Sequence, residues 1–351
     1  MSKSFFVNGN SLNEIRYNGN GVQSVYYNDI CVWDLRNSLV KFYSTSSFSI
    51  YPYISIADRL DTSGVWDGTM EYSVDNGSTW NVWSKAGEKV IARKSSGSKE
   101  YAILLRGTGN TYVTGGYKYG VVGITWEIEG DSVYCTGNLE TLLDYQTVAA
   151  GGHPLPVWGA FACMFTDQTA LTRATLMFPP TMPADCYYQM FKGCTYLSMG
   201  PAVLEDYIKT SGNGSSGSNA CGEMFAGCSR LQKAPSLPSN EYWGWNQYWR
   251  MFEGCVRLTE VPLLGRMLPE DYYDWAYGNA FYGCTGLKKI QSLPQIDVDI
   301  TTPTDTVMKN MYGATGILFS ATPTDECNIL AYTLKDNQPY YTNVEVFYPE
   351  I

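Results

Sequence analysis

The segment Met-Phe-x-Gly-Cys-x-x-Leu occurs, intact or degraded, six times from Met164 onward in this chain, and no other feature restricts its fold as strongly. It reads MFTDQTAL from Met164, MFKGCTYL from Met190, MFAGCSRL from Met224, MFEGCVRL from Met251, AFYGCTGL from Ala280 and NMYGATGI from Asn310. The aromatic or Met position runs through Phe165, Phe191, Phe225, Phe252, Phe281 and Met311, at intervals of 26, 34, 27, 29 and 30 residues. A unit of this size cannot bury its own apolar face, so neighbours must stack and the end units must be capped. Each buried Phe or Leu contributes roughly 1.5–3 kcal/mol by leaving water, so the ladder outweighs any single polar feature. The expected core is Phe165, Phe191, Cys194, Leu197, Phe225, Cys228, Leu231, Phe252, Cys255, Leu258, Phe281, Cys284 and Leu287.

After the closing Leu or Ile, a small or apolar residue often follows at the third position (Ala174, Ala234, Val261, Ile290) and again at the sixth (Met177, Val203, Leu237, Leu264, Leu293). That spacing suits a short strand with one face inward. Ahead of the motif come stretches such as PADCYYQ and WNQYWR, long enough for one or two helical turns. Each unit therefore reads as turn or helix, Gly corner, then strand. The repeated Cys is a small apolar core residue, with a disulfide or a metal as the other reading. Cys163, Cys186 and Cys221 fall outside the ladder position and are the better candidates for redox chemistry.

These motifs, with APSLPS at Ala234 and VPLLG at Val261, resemble the BspA-like leucine-rich repeats. That family includes bacterial surface adhesins, and similar repeats occur in fibre and adhesin proteins of tailed bacteriophages of gut bacteria. The resemblance covers residues 158–323 and implies a solenoid of about six α/β units. Asp167, Gln168 and Thr169 depart from the first corner and Ala314 replaces the last Cys, at ends where capping units are atypical.

The preceding sequence reads as β structure. Residues 1–36 alternate strand-like runs with Asn-Gly turns and resemble the small N-terminal modules of phage fibre and tail proteins, which implies an attachment module. Residues 37–135 hold runs such as SFSIYPYISI, KVIARK and EYAILLRG at intervals typical of a β-sandwich, Ig-like or similar. Residues 136–157 read as a connector and 324–351 as a C-terminal cap. The expected fold is thus multidomain and mainly β. Within the sandwich, YSVDNGSTW places Ser73, Asp75, Gly77, Thr79 and Trp80 in the pattern of the sialidase Asp-box, a structural turn remote from the chemistry of those enzymes. Asn76-Gly77 accepts the positive φ of a tight hairpin, and the Asp75 carboxylate can accept N–H bonds across it. LLRGTGN, from Leu104, lacks the Lys-Ser/Thr of a phosphate loop and reads as a turn.

The formal charge is 24 − 34 = −10, with no run of Lys or Arg, so a phosphate backbone is repelled and nucleic acid is not an expected partner. His153 is the only histidine and no Cys-x-x-Cys pair occurs among ten Cys, which argues against His-based triads and zinc sites. Nothing singles out a catalytic pair from 34 acids. No enzyme activity, cofactor or metal is expected. No apolar run is long enough to span a bilayer, and the N-terminus MSKSFFVNGN lacks the apolar core of a signal peptide.

Aromatic residues make up 15% of the chain against 17% charged, so rings are expected on the surface. Two clusters, YWGWNQYW and YYDWAY, occupy the same phase ahead of the motif. Their candidate ligand-binding residues are Trp243, Trp245, Tyr248, Tyr272, Tyr273 and Trp275, with packing between units as the other reading. The resemblance implies a phage virion component, a fibre or surface decoration, made in a host cytoplasm. Its implied partners are other virion proteins, further copies of the chain, and a host cell-surface glycan or protein. A bacterial surface adhesin is the alternative, and a glycosidase prompted by the Asp-box is the third reading.

Overall fold

The computed structural model describes residues 38–53, 65–84, 88–114, 124–201, 219–235, 237, 246–262 and 277–287, together with short strands elsewhere. The protein is mainly β, with antiparallel and mixed sheets and a single α-helix among the described residues. At the N-terminus, Phe6–Val7 pairs with Asn10–Ser11, Arg16–Tyr17 with Asn20–Gly21, and Ser24–Tyr27 with Ile30–Asp34.

The strands that follow are β1 (Val40–Ser44), β2 (Ser49–Tyr53), β3 (Thr69–Ser73), β4 (Asn81–Val82), β5 (Val90–Ile91), β6 (Arg93–Lys94), β7 (Tyr101–Thr108), β8 (Thr125–Glu129) and β9 (Val133–Asn138). They are followed by helix α1 (Glu140–Ala149) and strand β10 (Leu171–Met177). One sheet has the order β4-β3-β7-β1-β9-β10, with β6 also on β7, and the other the order β5-β2-β8. β7 alternates as a strand with one covered face must, burying Ile103, Leu105 and Gly107. Between the sheets, Trp83 stands 5.4 Å from both Trp66 and Trp126, centroid to centroid.

Residues 136–157, read as a connector, contain the end of β9 and α1. Leu139, Leu142 and Leu143 are buried, and α1 crosses β7 at Gly107, where a Cβ would lie 1.7 Å from the Leu142 carbonyl oxygen. The helix kinks at Asp144, whose Oδ1 accepts the N–H groups of Gln146 and Thr147 and caps the second piece.

From residue 157 onward the chain takes a different form. The backbone φ is positive at Gly159, Cys163 and Asp167, then at Asp185, Gln189 and Gly193, at Asn219, Glu223 and Gly227, at Asn246, Arg250 and Gly254, and at Asn279 and Gly283. A left-handed residue at every fourth position interrupts α-helical bonding, so these stretches are runs of tandem turns. Of the two readings of each unit, turn or helix, the described residues take the turn; those of the repeats contain no α-helix, so the α part of the expected α/β units is corrected here. Every second N–H bonds back three residues, as Met190 to Tyr187, while the N–H between them crosses to the following run, as Phe191 to Met224. Both sets of donors are thereby satisfied.

Equivalent side chains consequently stack. The rings of Phe165, Phe191, Phe225, Phe252 and Phe281 follow one another at centroid distances of 5.3 to 5.6 Å. Each ladder Cys donates its S–H to the carbonyl of the preceding Phe: Cys194 to Phe165 at 2.8 Å, Cys228 to Phe191 at 3.1 Å, Cys255 to Phe225 at 3.2 Å and Cys284 to Phe252 at 2.9 Å. A residue that is both small and a weak donor fits this place better than Ala, which would leave that bond unmade. Strand pairing between runs is brief: an isolated bridge joins Arg173 and Met199, and Glu260–Val261, Lys289–Ile290 and Glu345–Val346 form a parallel ladder.

The two parts share one core. Phe165 lies 6.0 Å from Phe42 and 6.5 Å from Trp126. β9 and β10 pair in parallel, and the Trp126 N–H bonds the Met164 carbonyl at 2.8 Å. On one side the first run faces a strand where each later run faces a preceding run, and its departures from the motif answer to that. Gln168, in the Cys position, accepts the Ile128 N–H through Oε1 at 2.7 Å and donates through Nε2 to Glu127 at 3.1 Å. Asp167 takes the glycine position with φ 60°, a conformation that Asp tolerates better than most residues.

Candidate recognition surface on the turn column

The four-residue period decides which side chains face outward. In CYYQMFKGC, Cys186 and Tyr187 are buried, Tyr188 and Gln189 half-buried, Met190 and Phe191 buried, Lys192 and Gly193 half-buried, and Cys194 buried. Two residues in, two residues out, is neither the helical nor the strand pattern. In NQYWRMFEGC the same phase buries Gln247 and Tyr248, leaves Trp249 and Arg250 half-buried, and buries Met251 and Phe252.

The outward positions form rows across the runs. One row reads Ala162, Tyr188, Gly222, Trp249 and Gly278, in which the two large rings are half-buried and the three small residues buried. The Tyr188 ring lies against Gly222, whose Cβ position is 3.1 Å from its Cδ2. The neighbouring row carries polar groups. The Cys163 thiol points to Gln189 Oε1 at 3.7 Å, and Gln189 Nε2 and Tyr188 Oη lie 3.3 and 3.4 Å from the Glu223 carboxylate. Lys192 Nζ is ion-paired with the same carboxylate. In the following run the Arg250 guanidinium lies 4.5 Å over the Trp249 ring and 3.5 Å from Glu253. Tyr282 is 44% exposed at the outward position beside Phe281. The face thus offers half-open rings flanked by amide, ammonium, guanidinium and carboxylate groups.

Of the residues selected from sequence, Tyr248 is corrected. It is 1% exposed and its ring stacks 5.2 Å from that of Tyr277, so the phase of the turns turns it inward and presents Trp249 instead. Trp243, Trp245, Tyr272, Tyr273 and Trp275 lie outside the described residues. Tyr188 and Tyr282 were missed, because the sequence clusters drew attention to density of rings and not to phase. Phe165, Phe191, Cys194, Leu197, Phe225, Cys228, Leu231, Phe252, Cys255, Leu258, Phe281, Cys284 and Leu287 are all buried.

The other motifs serve structure. In the Asp-box hairpin, Asp75 Oδ1 accepts from the Ser73 hydroxyl at 2.7 Å and the Thr79 N–H at 2.9 Å, and Oδ2 from the Thr79 hydroxyl at 2.5 Å. Those donors, Thr79 first, hold its carboxyl down to about 2. Asn76 and Gly77 have φ 60° and 87°, as a tight hairpin turn requires. The LLRGTGN stretch ends β7 in a turn held by Asn110, which accepts the Gly68 N–H and donates to the Thr69 and Leu142 carbonyls. His153 Nδ1 lies 2.9 Å from Glu140.

Cys163, Cys186 and Cys221 are buried. Burial raises the Cys186 and Cys221 thiols far above their ordinary range, so the redox role considered for them from sequence has no reactive thiolate behind it. Burial pushes the ladder thiol Cys284 up to about 12. Among the described residues, no group of His, Cys, Asp and Glu is arranged to hold a metal, and no helix is long and apolar enough to cross a membrane. Comparison with known protein families, with curated proteins and with solved structures finds no match to this chain.

Proposed function

We propose that the stacked turns are the rungs of a BspA-like leucine-rich-repeat solenoid, and that the chain is a structural virion protein of a tailed bacteriophage, a fibre or surface decoration that binds a host-surface glycan. The observation that carries the binding role is the outward half of the four-residue period, where Tyr188, Trp249 and Tyr282 stand among Gln189, Lys192 and Arg250. Sugars present C–H faces that pack on rings and hydroxyls that seek such polar groups. The virion role is supported by the quoted repeat motifs and by the paired short strands at the N-terminus, which suit an attachment module. A bacterial surface adhesin built from the same repeats is the second reading, and mass spectrometry of purified virions separates the two. A glycosidase has less support, since the Asp75 carboxylate is occupied by the turn that it closes.

The binding role is tested with a glycan array and intact host cells. The paired substitution Trp249→Ala and Tyr282→Ala should weaken binding roughly tenfold, the loss of two ring contacts, while the melting temperature stays near that of the parent. Unchanged binding by a folded double variant would overturn the assignment of this face.

A further inference from the structure

The corner that follows each ladder Cys has the same shape in four successive runs. The N–H after the Cys bonds the Gly carbonyl in Thr195, Ser229, Val256 and Thr285 at 2.7 to 2.9 Å, and the closing Leu N–H bonds the Cys carbonyl at 3.0 to 3.2 Å. Side chains two positions beyond the Cys therefore project from equivalent points, and in order they are Tyr196, Arg230, Arg257 and Gly286. Tyr196 is 46% exposed, and the Arg230 guanidinium lies 4.1 Å over its ring. Arg257 is exposed on the next run, and Gly286 beyond it has no side chain to cover it.

Two guanidiniums at equivalent points of adjacent runs repel each other, and among the described residues neither has a carboxylate partner. The chain has 34 acids with which to neutralise them, and one step further along the corner it places Lys233 and Glu260 at equivalent points, where their charges offset. Stacking on Tyr196 fixes the plane of one fork and leaves its N–H edge available, the geometry that suits bidentate recognition of an oxyanion.

We infer that the corner formed by Tyr196, Arg230 and Arg257 binds the carboxylate or sulfate groups of an acidic glycan. This rests on the glycan-binding reading above and names the class of glycan; the surface itself is distinct from the outward face that carries Trp249 and Tyr282. A negatively charged chain gains nothing from a general attraction to such a polymer, so recognition must come from a local cationic site of this kind.

The full chain is titrated with polygalacturonate, dextran sulfate, neutral dextran and single-stranded DNA. Binding of polygalacturonate or dextran sulfate but not of neutral dextran is expected, with the responding polymer identifying carboxylate or sulfate as the source of charge. Arg230→Ala with Arg257→Ala should cut that affinity about tenfold or more, and Arg230→Lys should lose part of it because a point charge replaces the fork. Trp249→Ala with Tyr282→Ala should lower affinity without changing its salt dependence, whereas the Arg substitutions should flatten that dependence, so that failure of this corner and failure of the aromatic face are told apart. Equal binding by the double Arg variant, no binding of either acidic polymer, or equally tight binding of DNA would each overturn the inference.

Discussion

The sheeted region and the turn column solve the same burial problem by opposite means. In the sheeted region every contact is individual: Trp66, Trp83 and Trp126 meet one another at tilted and edge-on angles. In the column one contact is repeated, with Phe225 and Phe252 stacked at an interplanar angle of 1° and each Cys bonded to the preceding Phe carbonyl. A repeated contact has two neighbours in place of many, so damage to one run is transmitted to the runs on both sides. The regions are nevertheless continuous through Phe165, which touches Phe42 and Trp126 on one side and Phe191 on the other.

The largest effect should come from breaking the ladder. Phe225→Ala removes a ring stacked on both faces and should cost about 3–5 kcal/mol. Thermal unfolding followed by tryptophan fluorescence checks it, and the shared core requires the tryptophans of the sheeted region to report the loss. A parental melting curve would mean that the column does not contribute to cooperative stability.

Cysteine offers a smaller and sharper comparison. Cys228 donates to a carbonyl in the column, whereas Cys135 is buried in the sheeted region, its thiol raised by burial alone. Ser in place of Cys228 keeps a donor at the right place and should cost about 1 kcal/mol, while Cys135→Ser sets a hydroxyl in apolar surroundings and should cost about 2 kcal/mol. Equal losses in denaturant titrations would show that the S–H bonds of the ladder carry no weight.

The smallest effect belongs to the exposed Asp-box turn. The Asp75 carboxyl falls from 3.8 to about 2 in the folded protein, so its contribution is complete above the unfolded value and is lost as pH falls from near 4 toward 2. Asp75→Asn should lower the melting temperature slightly at neutral pH and flatten its fall across that acid interval. It should leave glycan hydrolysis unchanged; a sialidase activity abolished by the substitution would give the turn a catalytic meaning that its geometry does not suggest.

Much of this was legible because it depends on chemistry local to a few residues. The hairpin at Asn76-Gly77 follows from the φ that those residues accept, and the Phe, Cys and Leu ladder from the need of identical units to bury identical groups. The helix at residues 140–149 was not legible, since a short, kinked segment carries little periodicity and owes its place to Leu142 and Leu143 packing over β7. The role of Gln168 was equally hidden. It looked like a degraded Cys, and only the neighbouring Ile128 and Glu127 show what its amide satisfies.

The sequence by itself determined that related segments recur, which of their residues leave water, and where glycine or its substitutes must stand, because apolar transfer and backbone sterics act on each residue separately. Only the tertiary structure decided the phase. Tyr248 and Trp249 are adjacent and similarly apolar, and one is buried against Tyr277 while the other faces outward beside Arg250. That choice belongs to the backbone of tandem turns, whose four-residue period exists through the N–H groups that cross from each run to the next. A single run lacks those partners, so no reading of its residues alone contains the period.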